Sequence, residues 1–170
     1  MSVDRPVWPM IWPWNDIHGG RMHWRDALYS RRFSSCYLLI IALMYARFGF
    51  GSSLCSSPNE ITIVCDFALW PYNLFEAPHV FVGSLFTSMW FHNSPDHILL
   101  VTVLVVVILQ TAEVRIGTKK AMIALFSVQT LVALIMTLYL YTGEYLYPAD
   151  GWYESGFRER NYMGGSVGLF

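Results

Sequence analysis

Three long apolar runs dominate the chain, at residues 33–50, 97–112 and 121–143, and the segments between them are rich in proline, glycine and charge. A helix rising about 1.5 Å per residue needs roughly 20 apolar residues to cross a hydrocarbon core about 30 Å thick. Phe33 to Phe50 comes close to that length, and its one charge, Arg47, lies near the far end, where a guanidinium snorkels to the headgroups more readily than it lines an ion path. Eleven of the sixteen residues from His97 to Ala112 are Ile, Leu or Val, and Ala121 to Gly143 carries no charge. The pattern predicts an all-α membrane protein with three spanning helices.

The intervening segments have their own signatures. Residues 51–78 hold Pro58, Pro71 and Pro78 with Glu60, Asp66 and Glu76, and no Lys or Arg, which predicts a loop. Ala77 to Pro95 is uncharged, yet it contains His79, Gly83, Ser84, Thr87, Ser88, His92 and Asn93. Such a stretch predicts a shallow or re-entrant membrane-embedded segment whose polar groups need cover from protein. Residues 1–32 form a separate Trp-, Pro- and Arg-rich segment, with Trp8, Trp12, Trp14 and Trp24 among Pro6, Pro9 and Pro13. The prolines exclude a long helix, and the tryptophans suit a bilayer interface or a partner's groove. The 144–162 segment places Trp152, Tyr153 and Phe157 beside Arg158 and Arg160, the residue types enriched at protein interfaces; the plainer reading is aromatics resting at headgroup level.

Composition agrees with lipid as the main solvent: 55% of residues are hydrophobic and 14% charged. A net charge of -1 with no basic run leaves nothing to favour nucleic acid. The basic residues gather at Arg25, Arg31 and Arg32 and again at Arg115, Lys119 and Lys120. The positive-inside bias puts both groups, and the N-terminus, on the cytoplasmic or matrix-equivalent side. Cys36, Cys55 and Cys65 fit no zinc spacing; Cys55 and Cys65 can bridge only in an oxidising compartment, and isolated thiols are the simpler reading. The start resembles no signal or transit peptide. No zinc-protease, phosphate-loop or haem-attachment motif occurs, so no cofactor is expected beyond bound lipid.

Three blocks in order resemble the rhomboid family of intramembrane serine proteases. Leu85 to His92 (Leu-Phe-Thr-Ser-Met-Trp-Phe-His), followed by His97, resembles the family's entry into its second helix. Glu113-x-Arg115-x-Gly117-Thr118 is similar to the Glu-x-x-x-Gly-Ser signature that closes that helix. Gly164-Gly165-Ser166-Val167 looks like the Gly-x-Ser-x block that holds the nucleophile. The resemblance covers about residues 33–170 and implies a partial rhomboid-like bundle: three transmembrane helices, a membrane-embedded first loop and a short stub of helix four at Met163 to Phe170. The segment at 143–162 is longer than the family usually has there.

The resemblance also carries expectations about chemistry. Rhomboids pair a serine on helix four with a histidine on helix six, and a serine hydroxyl is a weak nucleophile without a base in reach. Ser166 and Gly164 match the nucleophile block, but the chain runs only four residues past Ser166 and contains no counterpart of that histidine. The family's oxyanion donors on helix two are a histidine, matched by His97, and an asparagine, whose position is Val101 here. Losing one such donor costs on the order of 100- to 1,000-fold in rate. His92 and His97 are then expected to be structural, hydrogen-bonded to backbone. The expected protein is a catalytically inactive rhomboid-like accessory subunit of a larger membrane complex, a respiratory or other energy-transducing one, with the mitochondrial inner membrane favoured over a bacterial plasma membrane. Its partners are other integral membrane subunits and lipids, with Trp8, Trp12, Trp14, Trp24, Trp152, Tyr153 and Arg158 as candidate contacts. The alternatives are an intramembrane protease completed by a second chain, or a pseudoprotease that binds clients in membrane quality control.

Overall fold

The computed structural model describes residues 11–49, 67–92 and 94–146. Among these residues the regular elements are all helical, and Asn15 and Arg21 form an isolated antiparallel bridge. The helices are α1 (Trp24–Ser30), α2 (Arg32–Phe48), α3 (Asn73–Glu76), α4 (Pro78–Thr87) with a 3-10 turn at Ser88–Trp90, α5 (Pro95–Ile116) and α6 (Thr118–Leu146).

Local chemistry sets the boundaries. The Ser94 hydroxyl accepts from the His97 amide at 3.2 Å, and Pro95 occupies the first turn, where its missing N–H costs nothing. Gly117, at φ 87°, separates α5 from α6, and Gly49, at φ 73°, ends α2. Both sit in the left-handed region that favours glycine.

Two helices, Pro95–Ile116 and Thr118–Gly143 within α6, are long and apolar enough to cross a membrane. They correspond to the expected spans at 97–112 and 121–143. The expected span at 33–50 becomes a 17-residue helix, about 26 Å at 1.5 Å per residue, somewhat short of a full hydrocarbon core. The stretch expected to be re-entrant is helical through α4 and extended only from Phe91, and it buries Phe81, Ser84, Leu85, Ser88 and Met89. The expected helix-four stub lies outside the described residues.

The main core cluster joins Tyr37 and Ile41 of α2, Met89 of the 3-10 turn, Val101, Val105 and Leu109 of α5, and Leu125 of α6. A second, Leu69, Phe81, Leu85 and Ala133, joins α4 to α6. Four of the buried positions on α5, Val101, Val105, Leu109 and Glu113, recur every four residues, with Gln110 buried beside Leu109. In a regular α-helix each four-residue step drifts about 40°, so three steps would turn the last residue about 120° away from the first. α5 widens into a π turn at Val105–Leu109, which takes more residues per revolution and offsets part of that drift. α6 has no such turn, and its buried stripe, Ala121, Leu125, Gln129, Ala133 and Thr137, winds around the helix from the first cluster to the second.

Candidate functional site

His92 and His97 meet where the extended segment after Trp90 enters α5. Their rings stand edge to face, with centroids 5.0 Å apart and planes at 84°. His92 is buried, His97 half-buried. Neither Nδ1 nor Nε2 of His92 has a hydrogen-bond partner, which corrects the expectation that this histidine is tied to backbone. The reason is local: with Phe91 drawn into the hydrophobic cluster of Ala68 and Trp70, His92 is carried inward, where it faces the His97 ring in the first turn of α5. Burial, reinforced by the facing His97, pushes the His92 imidazole down to about 4, so it is neutral at physiological pH.

Val101, one turn along α5 from His97, is fully packed among Tyr37, Met89 and Val105. The position that would carry the second oxyanion donor is therefore a filled piece of hydrocarbon core. Ser166 and Gly164 lie outside the described residues, as do Trp8, Trp152, Tyr153, Arg158, Cys55 and Cys65.

The opposite end of α5 holds a buried polar cluster. The Glu113 carboxylate accepts from the Phe33 and Ser34 amides, each at 2.8 Å, from the Ser34 hydroxyl at 2.7 Å and from the Thr118 hydroxyl at 2.8 Å. It thereby caps the first turn of α2, whose N-terminus carries partial positive charge, and ties that turn to the start of α6. Gly117 lets the chain reverse immediately after α5, so the Glu113–Gly117 motif builds a three-helix clasp.

Arg31 supplies the other half. Its guanidinium donates to Gln110 Oε1 and to the carbonyls of Trp12, Asn15 and Ala27, and to the Ser30 hydroxyl at 2.8 Å. Burial lowers its proton affinity and Glu113 opposes that shift. Gln110 Nε2 donates to the Ile11 carbonyl, and the Ile11 amide donates to Thr111 Oγ1 at 3.3 Å. The N-terminal segment is thus clamped to α5. Within it, the Asp16 carboxylate accepts from the His18 and Gly20 amides, each at 2.8 Å; those bonds hold its pKa below the usual range and fold the segment back on itself.

Sequence reasoning did not single out Arg31 and Gln110 as site residues. The available signal was a glutamine inside an apolar run and an Arg31-Arg32 doublet, in which one arginine is buried and the other exposed. Trp12, Trp14 and Trp24, named as contact candidates, are exposed on this clamped segment.

No family model, curated protein or solved structure matches this chain. The resemblance to rhomboids rests on the motif blocks themselves.

Proposed function

We propose that this chain is a multi-pass membrane protein with a rhomboid-like frame that serves as a non-catalytic accessory subunit of a larger membrane complex. The observation that carries the reading is the state of the two long helices: in each, only 28% of the most apolar stretch is buried within the chain. In water such faces would be covered, and their exposure fits lipid and neighbouring spanning helices. α2, with Leu39, Ile40 and Leu43 exposed, is the third span on this reading, with its short length accommodated by bilayer thinning or by snorkelling of Arg32 and Arg47.

Two further points support a scaffold over a protease. Val101 fills the expected donor position with packed hydrocarbon, and His97 stands against His92. The proposed setting is an energy-transducing complex, the mitochondrial inner membrane ahead of a bacterial plasma membrane, with the N-terminus on the matrix or cytoplasmic side. The test is migration of the native protein on mild-detergent native gels, with mass spectrometry of the band. Co-migration with integral membrane subunits at fixed stoichiometry is expected; a monomer that is stable in lipid without partners overturns the proposal.

The Gly164-Gly165-Ser166 block favours one competing reading, an intramembrane protease completed by a second chain. Fluorophosphonate labelling in native membranes that disappears in Ser166→Ala would establish it. A client-binding pseudoprotease would show transient, variable partners in place of a fixed stoichiometry.

A further inference from the structure

The N-terminal segment is fastened at a defined depth. Ile11 is bonded to Gln110 and Thr111, six residues before the end of α5 at Ile116, which places it roughly 9 Å inward from the helix end. Trp12 and Trp14 follow, stacked with ring centroids 5.6 Å apart and planes 13° apart, and each is about half exposed. α1 then presents Trp24 and Leu28, one turn apart and exposed, with Tyr29 beside them. Arg25 lies over the Trp24 ring and Arg32 over the Tyr29 ring, at 5.2 and 5.5 Å. Apolar rings with guanidinium groups across them match the boundary between acyl chains and headgroups.

Charge adds a second, independent argument. Arg21, Arg25, Arg32, Arg115, Lys119 and Lys120 are all exposed at this end of the helices, against the nearby carboxylates Asp16 and Asp26. At the other end the exposed charges among the described residues are Arg47, Glu76 and Asp96.

We infer that residues 11–32, together with the Arg115–Lys120 turn, form a docking surface for anionic phospholipid headgroups. The tryptophans enter the acyl boundary while the six basic side chains meet the phosphates. This inference rests on the membrane reading above and commits the tryptophans to lipid in place of a protein groove. Clamping by Arg31, Gln110 and Glu113 means the surface is ordered before lipid arrives, so little ordering entropy opposes binding.

The test uses the full chain reconstituted in phosphatidylcholine bilayers containing phosphatidylglycerol, with bromine carried on the acyl chains of one lipid or the other. At equal mole fraction, brominated phosphatidylglycerol is expected to quench tryptophan emission more than brominated phosphatidylcholine. That preference should vanish in Trp12→Phe/Trp14→Phe/Trp24→Phe. It should fall by roughly 5-fold for each basic residue removed in the series Arg25→Gln, Lys119→Gln and Lys120→Gln. Arg47→Gln, at the opposite end, should leave it unchanged. These substitutions are at exposed positions, and an unchanged melting temperature verifies folding. Equal quenching by the two lipids overturns the headgroup inference alone. Absence of quenching by either in a protein that partitions into the bilayer also overturns it, because the tryptophans then lie outside the acyl boundary. A chain that does not partition into bilayers overturns the membrane reading as well.

Discussion

His92 is the residue whose environment most constrains behaviour. Its proton affinity in the folded state is depressed from an ordinary 6.5 to about 4, so the unfolded chain binds a proton that the native chain refuses. The stability this neutral ring contributes is fully present above pH 6.5 and is lost as pH falls toward 4. Thermal unfolding in detergent micelles should therefore show the melting temperature declining across that window, and His92→Phe should flatten the decline. A wild-type profile that is level from pH 7 to 4 would contradict the burial argument. Glu113 makes a second residue-level case. Replacing it with Gln removes the charge that four donors and Arg31 answer, and a carboxamide offers only one acceptor oxygen. The expected cost is about 2 kcal/mol in detergent unfolding, with a non-additive cycle against Arg31→Met because the two substitutions disturb one network.

At the scale of elements, two glycines should respond in opposite ways. Gly117 joins α5 to α6 at φ 87°, and an added methyl would meet no atom within 4 Å, so the cost of Gly117→Ala is backbone strain alone, about 1 kcal/mol. Gly83 lies inside α4 with equally open surroundings and helical backbone, so Gly83→Ala should be neutral or stabilising by up to about 1 kcal/mol. Measuring both in one background separates conformational strain from packing. The place of α2 is testable through Cys36, an exposed thiol just over one turn inside that helix. In a Cys55→Ser/Cys65→Ser background, a membrane-impermeant maleimide should label it slowly in intact membranes and readily after solubilisation; fast labelling in both would remove α2 from the bilayer.

The whole molecule is organised from end to end. One end gathers the basic side chains, the clasp of Arg31, Gln110 and Glu113 and the clamped tryptophan segment; the other carries the histidine pair. Between them lies a hydrocarbon core shared by α2, α5 and α6. If the chain works as a subunit, charge at the basic end should matter for lipid dependence and the exposed apolar faces for assembly. Leu131→Lys, placed on the open face of α6, is expected to disperse the complex on native gels by at least 10-fold in the assembled fraction. Its own helical signal by circular dichroism should be retained, and an undiminished complex band would argue that this face meets only lipid.

Much of this was legible in the order of residues. Long uncharged apolar runs can satisfy their backbone within a single segment only as helices in a water-poor setting, so the two long helices and their approximate ends follow from the pattern around Pro95, Gly117 and Gly143. The Glu113-x-Arg115-x-Gly117 motif was visible as a motif, and its charge pattern marked one end of the molecule. What tertiary structure decided was which polar groups are enclosed. Arg31 and Arg32 are indistinguishable neighbours in sequence, yet a kink between α1 and α2 turns the first inward to five oxygen acceptors and leaves the second at the surface. The π turn in α5 belongs to the same class, because a four-residue buried stripe becomes a constraint only once Tyr37 and Leu125 stand opposite it. Hydrophobicity acts along the chain and is therefore readable there, whereas desolvation and hydrogen-bond closure depend on what arrives from distant positions, and those partners are specified only by the fold.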